Sequence, residues 1–248
     1  MPDHLAVTIP LKDIRRIQLY INTALRSLSQ IQRETGADYI LNGTLYNMST
    51  FVPNCHLKAD GKVLCKPDYT VSGYSWNDGP DISMDTLPDA SQRNYITCTP
   101  LIVSGKPLSK LIYDEGQGGK RGRSAIGIKD GSVALYCTRD GGSLTRTPEA
   151  LRDDLAAAGW DSAVMLDSGG SSQCYFKGKA IQSSRDVHDL ILVYLRKGET
   201  TVEKKKVVLD PGHDAGNLAN KSPDGTYYEH EFALDMGKRI QSILERHS

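Results

Sequence analysis

The stretch "TPEALRDDLAAAGWDSAVMLDSGGSS", Thr147 to Ser172, decides how the chain is read. Thr147 stands at a cap position, Pro148 at the first helical position and Gly159 at the stop, which together delimit a helix. An apolar run, Ala163 to Leu166, follows and ends on Asp167 beside a loop of small residues, Ser168 to Ser172. A helix feeding a buried strand whose end carries a carboxylate is a common way to present a functional group. Taken alone, an Asp-x-Gly-Gly turn is better read as structure, so the weight rests on what joins it.

Outward from this stretch, two β-rich runs surround Lys129-Asp130-Gly131-Ser132 in "SAIGIKDGSVALYCT", the clearest hairpin signal in the chain. "GQGGKRGR", Gly116 to Arg123, precedes it as a Gly/Arg loop, and "SQCYFKG" and "HDLILVYLR" supply later strands. Upstream, "LAVTIP" reads as a short strand. Ile14, Ile17, Ile21, Leu25, Leu28 and Ile31 recur at spacings of three and four, which predicts a helix from about Asp13 to Glu34, with Asp13 as its cap and "TGAD" as its stop. "YILNGTLYN" is a strand interrupted at Asn42-Gly43. "DGKVLC" and "YTVSGYSW" read as hairpin arms with Asp60-Gly61 as the turn signal, and residues 77–94 as a long surface loop. Residues 1–196 are thus expected to form one α+β domain, strand-rich with helices on one side.

"KGETTVEKKK", residues 197–206, is a polar linker. Residues 207–248 then read as a strand, a Gly-rich loop and an amphipathic helix, a β-loop-α fragment too small to bury a core alone.

Composition narrows the function. Thirty basic residues balance thirty acidic ones in 248, so nothing electrostatic points to nucleic acid or an anionic membrane. No run approaches the apolar length of a membrane span, and the N-terminus lacks a signal-peptide core. The chain is therefore expected to be cytoplasmic when made, acting at the cell envelope only if delivered there. Five cysteines without a C-x-x-C pair read as reduced, mostly buried thiols. A Cys55–Cys65 bridge across the hairpin is the one alternative that spacing suggests. No nucleophile elbow, Walker A loop or dinucleotide fingerprint occurs.

Three loops can support one chemistry: Asn42-Gly43, the glycine-flanked Arg121 and Arg123, and Asp167 to Ser172. A carboxylate can act as acid, base or nucleophile at an acetal carbon. Arginine forks suit phosphate. The N–H groups of Gly169, Gly170 and Ser171 could form an anion-binding nest. A second carboxylate is expected by glycosidase logic, with Glu115, Asp130, Asp140 and Asp186 as candidates, Asp130 better read as a turn residue. Ser171 as an acyl-transfer nucleophile is the weaker reading, because only His188 is near in sequence and it reads as structural. Trp76, Tyr69 and Tyr74 could stack on a sugar, although packing is their commoner use.

The order "LNG", "GRSAIGIKDG", the quoted helix with "LDSGGSS", then "SSRDV" and "LILVYL" resembles the phosphodiester glycosidase family over most of residues 35–196. That family includes the uncovering enzyme, which removes N-acetylglucosamine from a phosphodiester-linked sugar. The resemblance implies Asn42 and Asp167 as catalytic residues, and Arg123, Arg185, Gly169, Gly170 and Ser171 as the substrate and phosphate site, with no cofactor required. Ser168 stands in the first of three positions that are glycine in the family. In the tail, "VVLDPGHDAG" with Glu229 resembles the opening of zinc-dependent N-acetylmuramoyl-L-alanine amidases. It implies His213 and Glu229 as two zinc ligands of an incomplete site, the remaining ligands lying beyond residue 248. Together the resemblances imply a hydrolase acting on a phosphorylated glycan or cell-wall polymer of bacterial or phage origin. The alternative is a non-catalytic phosphoglycan-binding module that targets an amidase truncated in this chain.

Overall fold

Antiparallel pairing organises the chain. The computed structural model describes residues 2–69, 71–85, 91–196, 209 and 220–245. The chain divides into two compact units, Met1–Arg196 and Lys197–Ser248. In the first unit a six-stranded sheet runs β1 (His4–Pro10), β14 (Ser132–Thr138), β13 (Ser124–Lys129), β15 (Ser162–Met165), β11 (Thr99–Val103), β12 (Lys106–Pro107). A second sheet runs β17 (Lys179–Ile181), β16 (Cys174–Phe176), β3 (Tyr39–Asn42), β18 (Asp189–Leu195), β2 (Ile14–Ile21). A third runs β7 (Lys62–Cys65), β6 (Leu57–Ala59), β10 (Asn94–Ile96), β8 (Gly73–Trp76), β9 (Ser83–Asp85). A small hairpin, β4 (Tyr46–Asn47) with β5 (Val52–Pro53), stands apart.

The sheets bury one shared core. Ile126, Val133, Leu135 and Val164 of the first meet Leu41, Ile191 and Val193 of the second and Leu57, Trp76 and Ile96 of the third. Side chains alternate across a strand, so the next residues along face outward and need covering. Helix α2 (Pro148–Ala157) covers Ala125, Ala134, Ala163 and Met165 with Leu151 and Leu155. Helix α1 (Leu28–Thr35) covers Ile40, Leu190 and Leu192 with Leu28 and Ile31. The helices therefore sit on the outer faces of two different sheets, which corrects the expectation of helices on one side. The α2 signals act as read: Thr147 Oγ1 accepts from Ala150 N at 3.1 Å, and Gly159 takes φ +78°.

The predicted helix from Asp13 is half wrong, for an identifiable reason. Residues 14–21 are β2, paired with β18 from Asp189↔Ile21 to Tyr194↔Arg16, after which the register slips and Leu195 faces Ile14. Arg15 is the extra residue of a β-bulge. It brings Ile14 and Ile17 to one buried face although they are three apart, which imitates a helical period. The helix proper starts later, capped by Ser27 in a reciprocal box with Gln30 and closed by Gly36 at φ +65°. Asp60-Gly61 turns β6 into β7, both residues at positive φ. The "YTVSGYSW" segment is not the other arm of that hairpin, since β8 pairs with β10 and β9. Strand β9 also breaks the loop expected over 77–94, of which 86–90 lie outside the described residues.

In the second unit, α3 (Glu229–Glu245) follows a turn over 222–226 and leaves Phe232, Leu234, Ile240 and Ile243 exposed. The linker, His213 and the expected strand at 207–210 fall outside the described residues, Leu209 apart. No helix among the described residues is long and apolar enough to cross a membrane.

Candidate active site

Strand β15 delivers Asp167 to a cavity of about 220 Å³ whose wall includes Tyr46, Asp114, Gln117, Arg121, Asp167 and Arg185. The aspartate is fixed by its backbone. Asp167 N donates to Gly43 O at 2.9 Å, Asp167 O accepts from Asn42 Nδ2 at 2.9 Å, and Ser168 N donates to the carboxylate at 2.7 Å. Burial pushes the Asp167 carboxyl up to about 6, against the opposing pull of the Ser171 hydroxyl, the Ser168 N–H and Arg185. Ser171 Oγ is fully buried between this carboxylate and the Tyr46 hydroxyl, with no well-formed hydrogen bond of its own. A buried hydroxyl left this way is suited to a substrate oxygen or a water.

The glycines are used unequally. Gly169 has φ +62° and requires the residue it is. Ser168, at φ −135°, is ordinary extended backbone, so a serine there disturbs nothing. A Cβ on Gly170 would lie 2.4 Å from Arg185 Nη2 and 2.6 Å from Nε, because the guanidinium rests on that glycine. Arg121 lies farther off from Gly169, its Nη1 3.8 Å from where a Cβ would be, an ordinary contact distance. The anticipated nest is largely committed within the fold: Gly169 N–H donates to Gly122 O at 2.9 Å and Ser171 N–H to Ser168 O at 3.4 Å. Positive charge at the cavity thus comes from Arg121 and Arg185 more than from amides.

Two expected residues act elsewhere. Arg123 is fully buried: Nε donates to Arg146 O at 2.8 Å and Nη2 to Gly119 O at 2.7 Å, while Nη1 reaches Met165 Sδ. Burial lowers its pKa to about 10, and it is absent from the cavity wall, so the arginine this loop gives to the cavity is Arg121. Asn42 is buried with every polar atom engaged, Nδ2 to Gly43 O and Asp167 O, Oδ1 from Ser124 Oγ and Gln173 N. It positions Asp167 and does not touch the cavity.

Of the carboxylates considered, Asp140 accepts from Gly122 N at 2.8 Å and Asp130 sits in the β13–β14 turn. The second cavity carboxylate is Asp114, at the cap of the 3-10 turn Glu115–Gln117, where the Asp-x-x-Gln pattern signals a helix start and not a site. His188 is structural as read: Nδ1 meets Asp189 at 2.9 Å and the ring stacks on Tyr46. Trp76 and Tyr74 are core residues. In the tail, Glu229 is the first residue of α3, and among the described residues no cluster of three His, Cys, Asp or Glu side chains is placed to hold a metal ion. A larger hollow of about 790 Å³ beside α3, between Tyr227, Phe232 and Arg239, is an open surface groove of the second unit.

A sequence model of the family described as phosphodiester glycosidase matches residues 22–194. The chain belongs to that family. Among solved structures, the zebrafish N-acetylglucosamine-1-phosphodiester alpha-N-acetylglucosaminidase catalytic domain, auto-inhibited by its pro-peptide, aligns with a TM-score of 0.59 at 13% identity. The match covers 79% of this chain and 85% of that one. A hypothetical protein from Synechocystis aligns with a TM-score of 0.62 at 13% identity, over 78% of this chain and 59% of that one. A putative exported protein from Burkholderia pseudomallei gives 0.50 at 11% identity, over 73% and 71%. No curated protein matches the sequence. At these identities the likeness shows a shared fold, the strand-rich antiparallel architecture of phosphodiester glycosidases.

Proposed function

We propose that the cavity hydrolyses the bond between the anomeric carbon and oxygen of a sugar 1-phosphodiester. The observation that carries this is the convergence of one buried, high-pKa carboxylate and two guanidinium groups on a single small cavity. Arg121 and Arg185 hold the phosphate and stabilise the charge that grows on it as the bond breaks. The departing phosphomonoester has a second pKa near 6, so it leaves without a strong general acid. The two-acid requirement of ordinary glycosidases therefore relaxes here, and Asp167 serves as the base that activates water at the anomeric carbon. Asp114 and Tyr46, both in the cavity wall, meet the sugar hydroxyls. A cell-wall or glycan-derived substrate is favoured by the amidase-like tail, whose zinc reading rests on its sequence alone.

The test is hydrolysis of an alkyl diester of N-acetylglucosamine 1-phosphate in ¹⁸O-labelled water. Free reducing sugar carrying the label, with unlabelled alkyl phosphate, is the expected outcome. Label in the phosphate or release of sugar 1-phosphate would exclude the reaction. Binding without turnover would favour the non-catalytic module.

Gly170→Ala separates site from fold. The new Cβ meets the mobile end of Arg185 and Ser184 Oγ, so the guanidinium swings aside while the backbone stays. The loss in kcat/KM should be roughly 10- to 100-fold, the scale of a misplaced charged contact, with little change in Tm. A large fall in Tm together with normal activity per folded molecule would refute this account of the glycine.

A further inference from the structure

Behind the cavity wall lies a pair of thiols that hydrolysis does not use, one of them in contact with a wall residue. Gln117, part of that wall, donates from Nε2 to Cys98 Sγ at 3.2 Å. Cys98 lies two residues past the end of β10, and Cys55 two residues before the start of β6. The β6–β10 register pairs Tyr95 with Lys58 and Ile96 with Leu57, and Thr97 N donates onward to His56 O at 3.3 Å. Cys98 and Cys55 come next on the two chains, each at a bend where the ladder ends, and the two thiols share a hydrogen bond.

All five cysteines are free, and both members of this pair are buried in the shared core while retaining 5% and 6% exposure. The Cys55 thiol is held below its ordinary value despite burial, by the hydrogen bond from Cys98 and then by Thr44 and Tyr69. Cys55 is therefore the nucleophile of the two and Cys98 the resolving thiol.

We propose that Cys55 and Cys98 form a reversible disulfide, a redox modification site lying behind the cavity wall at Gln117. With hydrogen peroxide as oxidant, the Cys55 thiolate attacks one peroxide oxygen, giving a sulfenic acid and, after protonation, one water. The Cys98 thiol then attacks the sulfenic sulfur. The S–S bond forms, and the sulfenic oxygen leaves as a second water with both protons accounted for. The two thiols are oxidised by two electrons and one peroxide is reduced. The bond redirects the sulfur that Gln117 contacts, so the cavity wall is where oxidation is felt. Two other pairings compete, Cys55 with Cys65 and Cys137 with Cys174, and the experiment separates them. Cys65 sits opposite Leu57 on the hairpin, and Cys137 and Cys174 have no exposed surface through which an oxidant could reach them.

The experiment is a non-reducing peptide map of the full chain after mild peroxide treatment, with remaining thiols blocked under denaturing conditions. The expected result is one linked species joining the Cys55 and Cys98 peptides, lighter by two hydrogens and restored by dithiothreitol. Oxidised wild type should also melt about 5 °C or more higher, the scale of a loop-closing disulfide in a chain of this size. Cys98→Ser should lack that rise. A map dominated by Cys55–Cys65 or Cys137–Cys174 would overturn the proposal. So would Cys55 and Cys98 that both remain blockable after Cys65 has been oxidised.

Discussion

Asp167→Asn should reduce turnover of a sugar 1-phosphodiester by about 10³-fold or more, within the range for loss of a general base, while making the protein more stable at neutral pH. The second half follows from burial. The folded carboxyl titrates at about 6 and its ordinary value is 3.8, so holding it ionised in the fold is unfavourable. A raised folded value means the stabilising contribution is complete below pH about 4 and is lost as pH rises through about 6. The loss amounts to about 3 kcal/mol, an order-of-magnitude figure from the separation of the two values. Asparagine keeps an oxygen for the Ser168 N–H and removes the titration. Urea denaturation of both proteins between pH 4 and pH 8 should show wild type losing stability across that window relative to the variant. The kcat/KM of wild type should climb with an apparent pKa near 6 as the base ionises. A variant that is less stable than wild type at pH 8 would contradict the burial argument, and one that still turns over would remove Asp167 from the chemistry.

Where sequence reading succeeded, its signals were local. The cap at Thr147, the proline at 148 and the glycine at 159 lie within one helix, and Asp130-Gly131 lies within one turn. Asp167 and Gly170 are legible because their motif is short and directly follows the apolar strand β15, and Arg185 only through the family resemblance. Failures came where partners distant in sequence decide. Arg15 is a bulge only because β18 lies beside it, and without that partner Ile14 and Ile17 look helical. Strand β8 pairs with β10 across a stretch no short-range rule connects. Arg121 and Arg123 share one Gly-rich loop, and nothing in their spacing says which is buried. Arg123 directly precedes β13, and there its donors meet carbonyls and a thioether, while Arg121 is left to the cavity. Tyr46 reaches the site from the two-residue strand β4 and Asp114 from the cap of a short 3-10 turn, and neither position marks its residue as part of a site.

Gly43→Ala should be among the most damaging small substitutions in the first unit. A Cβ there would lie 1.9 Å from Asp189 Oδ1 and 2.9 Å from Asp189 O. Neither atom can retreat. The Asp189 carboxylate is fully buried, accepts from Thr44 N at 2.8 Å and meets His188 Nδ1 at 2.9 Å, and its backbone is locked into β18 opposite Ile21. Gly43 N also donates to Asp189 O at 2.8 Å, and Gly43 O receives Asp167 N. The glycine is the point where β3, β18 and the Asp167 strand end approach too closely for any side chain. Forcing a methyl group in should cost about 3–5 kcal/mol, at the upper end for overpacking because a buried carboxylate loses its partners as well. Any molecules that fold should be poorly active, since the carbonyl that fixes Asp167 has moved. Gly79→Ala is the control, because a Cβ there meets nothing within 4 Å. Urea midpoints should place Gly79→Ala beside wild type and Gly43→Ala far below it. If the two variants proved equally stable, the close approach at Gly43 would not be what holds Asp167 in place.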